Sequence, residues 1–182
     1  DTAVILHLFY TDLWHEFSSY LLNLGYDTDI YVSLPEHADR DVCAEILKAF
    51  PDAKIFFLEN RGRDIGPFLH IFSLIANAGY KYICKIHTKK SIHRSDGEIW
   101  RRDLYKKLCG SPDQVCLIKE AFDQHEGIVI IGPEGHQVSH SYYWGSNKNR
   151  TVELAKELGL NDNLEFSFFA GSMFWFRPSA LK

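Results

Sequence analysis

Residues 54–87 read KIFFLENRGRDIGPFLHIFSLIANAGYKYICKIH, and their periodicity changes twice. Lys54-Ile55-Phe56-Phe57-Leu58 is a short apolar run of strand character. After the loop Asn60-Arg61-Gly62-Arg63, Asp64 stands where a helix would be capped, with Pro67 in the first turn. Phe68, Ile71, Phe72 and Ile75 then recur at helical spacing until Gly79. Lys81-Tyr82-Ile83-Cys84-Lys85-Ile86 returns to strand. A strand, a helix and a strand in succession form a right-handed βαβ unit, and so two parallel strands.

The same alternation extends toward the N-terminus. Val4-Ile5-Leu6-His7-Leu8-Phe9 reads as a strand, and Leu13, Phe17, Tyr20, Leu21 and Leu24 mark a helix that stops at Gly25. Asp29-Ile30-Tyr31-Val32 is a second strand. Ser33-x-x-Glu36 with Pro35 reads as a capping box, opening a helix whose stripe is Val42, Ile46, Leu47 and Phe50. Past residue 87 the spacing predicts a polar helix from Asp96 to Leu108, and a helix capped by Ser111-Pro112 that runs to Gln124. It predicts a strand at Ile128-Val129-Ile130-Ile131, a long loop from Gly132 to Asn147, and a helix from Thr151 to Leu158. A final apolar segment runs from Phe166 to Phe176, and a helix started at Pro178 stops at once. The expectation is an α/β fold over residues 1–182, one domain cut from a longer protein: a three-layer α/β/α sandwich with a mostly parallel central sheet. Ligands of such sheets bind at the carboxyl ends of the strands.

Composition narrows the classes. With 182 residues, 46% hydrophobic and 24% charged, the chain suits a globular domain and excludes a disordered tail or a collagen-like repeat. No apolar run approaches the roughly 18 residues needed to span a bilayer, and Asp1-Thr2-Ala3 lacks the basic start of a signal peptide. Cys43, Cys84, Cys109 and Cys116 show no CxxC spacing, so reduced thiols in a cytoplasmic protein are expected, with Cys109 and Cys116 packing as small apolar groups. Cys84, His87 and His93 fit no usual zinc spacing, and no nucleophile elbow, HExxH helix, Walker A loop or GxGxxG fingerprint is present. The net charge of −4 hides an asymmetry. From Lys81 to Lys107 there are nine bases and three acids, a net of +6, against −10 in the rest. A positive island on an acidic body suits an anionic small molecule or phosphate better than nucleic acid, although Arg101 to Lys107 also reads as a solvated helix face.

Two clusters follow strands and so fall on the ligand-binding rim. In Asn60-Arg61-Gly62-Arg63-Asp64, two guanidiniums flank a glycine ahead of a helix whose free N–H groups would face the rim. The alternative is an ordinary strand-to-helix turn with solvated arginines. In Lys85-Ile86-His87-Thr88-Lys89-Lys90, alternation puts Lys85, His87 and Lys89 on one side, where they meet an anion. The alternative there is a Lys85 paired with a carboxylate such as Asp64. A third segment, Ala170-Gly171-Ser172-Met173, is small enough for backbone to approach a ligand, and Gly171, Ser172 and Met173 are candidates for an acceptor or sugar pocket together with Trp144.

These residues carry a resemblance. His7-Leu8-Phe9-Tyr10, Asp29-Ile30-Tyr31-Val32-Ser33, Asn60 to Phe68, Lys85 to Ser91 and Ala170 to Arg177 together resemble the rhamnan synthesis protein F family of bacterial polysaccharide assembly. The resemblance implies a GT-A-like, nucleotide-sugar-binding fold and a glycosyltransferase of the rhamnosyl type. Its donor would be a nucleoside-diphosphate sugar, deoxythymidine diphosphate L-rhamnose, and its acceptor a polysaccharide or lipid-linked saccharide. Asn60-Arg61-Gly62 resembles the donor-site Asn-x-Gly of that wider fold group. His87-Thr88-Lys89 stands where the group keeps a metal-holding Asp-x-Asp, so no metal or other cofactor is expected. Lys85, His87, Lys89, Arg61 and Arg63 would then supply the charge on the diphosphate. Glu134 and Asp64 are the candidate bases for the acceptor hydroxyl. The competing reading is a non-catalytic sugar-nucleotide or saccharide-binding module. Nucleic acid is not an expected partner, and the expected location is the cytoplasm, at the inner membrane face only through partners.

Overall fold

The computed structural model describes residues 1–91, 95–160 and 167–181, with the side chains of residues 141 and 142 excepted. Strands β1 (Thr2–His7), β2 (Thr28–Pro35), β3 (Lys54–Leu58) and β4 (Tyr82–His87) alternate with helices α1 (Trp14–Leu21), α2 (Asp41–Ala49) and α3 (Ile65–Ile75). Helices α4 (Gly97–Cys109) and α5 (Pro112–Gln124) follow, then β5 (Ile130–Ile131), β6 (Gln137–Ser139), α6 (His140–Tyr143), α7 (Lys148–Glu157), β7 (Ser167–Phe169) and β8 (Phe174–Phe176).

Six strands form one sheet in the order β3-β2-β1-β4-β8-β5. The first four are parallel, and β8 runs antiparallel between β4 and β5. Alternation along β1 splits the core into two faces. Val4 and Leu6 pack with Trp14, Phe17, Val42, Ile46, Leu104, Leu108, Ile118 and Phe122, from α1, α2, α4 and α5. Ala3 and Ile5 pack with Phe68, Ile71, Phe72 and Ile75 of α3 on the other side. The result is the expected three-layer α/β/α sandwich around a mostly parallel sheet. Because β3 connects through α3 to β4 while β1 and β2 lie between them, the strand order reverses at the β1/β4 boundary.

Local chemistry accounts for the start of α5, and long-range arginine contacts tie other elements together. The Ser111 hydroxyl accepts from the Gln114 amide at 3.1 Å, and Pro112 opens α5. At α4, Arg101 on the buried side donates to Glu16 at 2.8 Å and ties that helix to α1. Arg177 donates from Nε to the Ile128 carbonyl at 2.9 Å and from Nη2 to the Phe122 carbonyl, which fixes the end of β8 to α5.

Four local expectations are corrected. Ser33 and Glu36 form no capping box: β2 continues to Pro35, α2 begins only at Asp41, and the Ser33 hydroxyl lies 2.9 Å from His7 Nδ1. The stretch 132–147 is not a plain loop, since β6 and α6 lie within it and β6 pairs with β7. The apolar segment ending at Phe176 is two strands separated by a turn at Ala170–Met173, and Phe166 lies outside the described residues. Cys109 is buried, but Cys116 is exposed, with its thiol 3.4 Å from Glu120 Oε1. All four cysteines are free thiols. Among the described residues, no helix is long and apolar enough to cross a membrane.

Candidate functional site

The reversal of strand order decides where a cleft can open, because α1, which follows β1, and α3, which leads into β4, lie on opposite faces of the sheet. β1 and β4 pair in register, so His7 and His87 stand side by side at their carboxyl ends. The following loops are sewn together there: the Tyr10 amide donates to Thr88 Oγ1 at 2.9 Å, and the Thr88 amide to the His7 carbonyl at 3.0 Å. Above them lies a cleft of about 460 Å³. Its walls are His7, Phe9 and Tyr10 after β1, Asn60, Arg63 and Asp64 between β3 and α3, and His87 to Ser91 after β4.

The turn between β3 and α3 needs its glycines. Gly62 has φ +77° and Arg63 φ +52°, two successive left-handed residues. A Cβ on Gly66 would sit 2.0 Å from the Arg61 carbonyl oxygen, so no side chain fits there. Among the described residues the other non-glycine positive φ values are at Ser91 (+49°) and Ser172 (+57°). Arg63 and Ser91 both line the cleft, and the Ser172 carbonyl accepts from Lys85 beneath it, so the strained backbone gathers around this one place.

The expected free amides at the start of α3 are absent. The Ile65 and Gly66 N–H groups both donate to the Gly62 carbonyl, at 3.1 and 3.2 Å, and Pro67 has no N–H. Asp64 occupies the N-cap position but makes no side-chain cap. Its carboxylate instead accepts from Lys85 Nζ at 2.7 Å.

Lys85 is 1% exposed and lies under the cleft rather than in it. Burial pulls its pKa down, and the Asp64 charge opposes that. For Asp64 burial is the largest influence and favours protonation, yet His87, Lys85 and its own backbone amide together hold the carboxyl below its usual range. His87 contributes only when charged, and burial pushes its pKa down to about 3. At neutral pH the counter-ion is therefore Lys85, and His87 is a neutral ring whose Nδ1 lies 3.6 Å from Asp64 Oδ2 without a hydrogen bond. Burial, reinforced by Lys85, also lowers the His7 pKa against the pull of Asp64.

The positive island is largely neutralised. Of its nine bases, six are paired: Lys81 with Asp123, Lys85 with Asp64, Lys90 with Asp12, Arg101 with Glu16, Arg102 with Glu16 and Glu98, and Lys107 with Asp103. Lys89 extends over the Trp100 ring at 4.7 Å, and Arg94 lies outside the described residues. Arg61 and Arg63, by contrast, are exposed and make no ion pair among the described residues.

The fold brings Asn60, Arg63, Asp64, His87 and Lys89 to one cleft, with Gly62 shaping its edge. It does not bring the others there. Met173 is in the core, and Gly171 packs against Leu104 and Trp100. Trp144 packs edge-on against His140, and exposed Glu134 gives its carbonyl to Lys107 Nζ at 2.8 Å. His7, Phe9, Tyr10, Thr88, Lys90 and Ser91 are cleft residues to which the sequence had given no role, although their position just past strand ends was the signal. Among the described residues, no three His, Cys, Asp or Glu side chains converge as a group that could hold a metal ion. Cys84 and His87 lie on opposite faces of β4, and His93 lies outside the described residues.

A family model described as rhamnan synthesis protein F matches residues 1–182. Two curated proteins of Xanthomonas campestris pv. campestris, from strains B100 and ATCC 33913, both called uncharacterized protein WxcX, are each 33% identical over 183 residues. The match covers all of this chain and 26% of each relative, so the chain spans about a quarter of their length.

Proposed function

The chain belongs to the rhamnan synthesis protein F family, and from that premise we propose that it binds a nucleoside-diphosphate sugar in a GT-A-like manner, as one domain of a longer protein that transfers a glycosyl group in polysaccharide assembly. The observation that carries this is Arg63, an exposed guanidinium with no ion pair among the described residues, which a strained turn holds in the lining of a cleft at the strand-order reversal, with Arg61, likewise exposed and without an ion pair there, two residues before it on the same turn.

Two guanidiniums match the oxygens of a diphosphate and stabilise the charge that grows on it as the bond from the anomeric carbon to the phosphate oxygen breaks. Asn60 lies beside them on the cleft wall and Lys89 on the opposite side. Lys85 and His87 sit lower; Lys85 serves this proposal as the fixed charge that positions Asp64. Deoxythymidine diphosphate L-rhamnose is the proposed donor, and a polysaccharide or lipid-linked saccharide the acceptor. The proposal routes charge neutralisation through arginine and no step through a metal.

Transfer also requires that the acceptor hydroxyl lose its proton as its oxygen bonds to the anomeric carbon. Asp64 is the one carboxylate among the described cleft residues, and Lys85 helps to hold its pKa below the usual range, which makes it a weak base. That observation favours the second reading, a binding module without catalysis of its own.

Calorimetry on the intact protein tests both. Deoxythymidine diphosphate is expected to bind with or without EDTA, and Arg63→Ala to weaken it about tenfold or more. Binding that collapses on chelation refutes the metal-free scheme, and unchanged affinity in Arg63→Ala refutes the arginine assignment. Transfer or hydrolysis of the sugar nucleotide by the intact protein, lost in Arg63→Ala, separates the enzyme from the module.

A further inference from the structure

The floor of the cleft differs in kind from its mouth. His7 and His87 are register partners on adjacent parallel strands, which lie about 4.8 Å apart. They are only 5% and 7% exposed. What faces Nδ1 decides the tautomer of each ring. In His7 that atom meets the Ser33 hydroxyl at 2.9 Å, and with the hydroxyl proton directed at the Leu6 carbonyl, Nδ1 is the donor. In His87 it faces the ionised Asp64 carboxylate, which favours a proton on Nδ1. Both rings therefore keep the lone pair of Nε2. Neither Nε2 has a partner among the described residues, and neither is among the fully buried unpartnered atoms, so both open onto the cleft that the rings line.

The charges at the floor cancel. Asp64 and Lys85 form one neutral pair, and both imidazoles are uncharged at neutral pH. A phosphate gains nothing there that Arg63 in the cleft lining, with Arg61 on the same turn, does not already offer. Two adjacent, oriented acceptors in a desolvated floor instead match a neutral group rich in O–H donors, because a hydroxyl that leaves water must find a partner.

We infer that this floor is a hydroxyl-reading subsite, in which Nε2 of His7 and Nε2 of His87 accept hydrogen bonds from hydroxyls of the sugar carried by the nucleotide, so that the ligand enters sugar first with its diphosphate at the arginines. The inference rests on the sugar-nucleotide reading and assigns the two histidines to recognition of the sugar rather than to phosphate contact or proton transfer.

The test compares a nucleotide with its own sugar conjugate, deoxythymidine diphosphate against deoxythymidine diphosphate L-rhamnose and uridine diphosphate against uridine diphosphate glucose, by calorimetry on the intact protein. His87→Asn keeps a donor beside Asp64 and removes the acceptor from the cleft; His87→Gln restores a polar group near the Nε2 position. His87→Asn is expected to weaken the sugar nucleotide about tenfold and to change the free nucleotide less than twofold, with His87→Gln recovering part of the loss. His7→Asn is expected to do the same. The unchanged nucleotide affinity also certifies that the variants fold. Equal losses for nucleotide and conjugate, or no loss in either variant, overturn the subsite. A wild-type protein that binds the nucleotide but gains nothing from its sugar also overturns it, while leaving the nucleotide site standing. Failure of every nucleotide to bind refutes the underlying reading, and the subsite with it.

Discussion

Acid should weaken this fold through His87, and the sign of the effect tests the electrostatics of the cleft. His87 closes β4 at the edge of the core, 7% exposed, and burial pushes its pKa down to about 3. Lys85, Lys89 and His7 push the same way, and only Asp64 opposes them. In the unfolded chain the ring titrates near 6.5. Between those values the unfolded state binds a proton that the native state refuses, so stability rises with pH across the window and is lost as pH falls. At about 1.4 kcal/mol per pKa unit, the whole window amounts to about 5 kcal/mol, of which about 2 kcal/mol falls between pH 7 and pH 5. Asp64, also depressed, acts in the same direction but only below about pH 4, where free carboxylates titrate. Urea unfolding at pH 7, 6 and 5 isolates the histidine. The difference in unfolding free energy between wild type and His87→Gln, which cannot titrate, is expected to shift by about 2 kcal/mol against the wild type over that range. Groups that do not interact with His87 cancel in the difference. If His87 were instead a protonated partner of Asp64, the wild type would gain relative to the variant on acidification; that result, or superimposed pH profiles, refutes the neutral floor.

Two further expectations concern the frame of the cleft. Lys85→Met strands the Asp64 carboxylate and Asp64→Asn strands a wholly buried ammonium, so each is expected to cost about 3 kcal/mol in denaturant unfolding, while the double variant costs less than either; additive losses would show that the two groups do not depend on each other. Gly66→Ala forces a Cβ to 2.0 Å from the Arg61 carbonyl oxygen and is expected to rebuild the turn, losing nucleotide affinity and about 2 kcal/mol or more of stability. Gly79→Ala, at φ +87° with nothing within 4 Å of its Cβ, is the control, with a cost of about 1 kcal/mol and no change in binding. Equal behaviour of the two alanines contradicts the steric account of the turn.

What the sequence disclosed, and what it withheld, follows from the range of the interactions. The limits of β3 are those of its apolar run, Lys54–Leu58, and α5 begins where Ser111 and Pro112 predict, because a strand's hydrophobic face and a helix cap are written within a few residues. Ser33 was misread for the opposite reason. Its local pattern is that of a capping box, but pairing with His7 on one side and Phe56 on the other carries β2 through Pro35, and tertiary pairing outweighs a local preference. Arg63 and Asn60 were legible as rim residues because one turn carries them. His7 was not, since its meaning lies in standing beside His87, 80 residues away, and no spacing in the chain announces a register.

Charge shows the same limit and gives the site its sharpest argument. Counted along the chain, Lys81 to Lys107 is the most basic stretch, with a net of +6. In the folded molecule its lysines and arginines meet Asp12, Glu16, Asp64 and Asp123, acids supplied by segments far away in sequence, so the island is mostly internal neutralisation. Pairing of that kind organises the fold; it leaves little attraction for a ligand. Arg61 and Arg63 lie outside the island and stand exposed, with no ion pair among the described residues, on a turn that holds Arg63 in a left-handed conformation, at a cost of about 1–2 kcal/mol. A turn built only for stability would place glycine or asparagine at such a position and would pair or omit the second guanidinium. The expense of holding two free cations beside a cleft with a neutral floor is intelligible if the partner is anionic at one end and hydroxylated at the other, and a sugar joined to a diphosphate has that polarity.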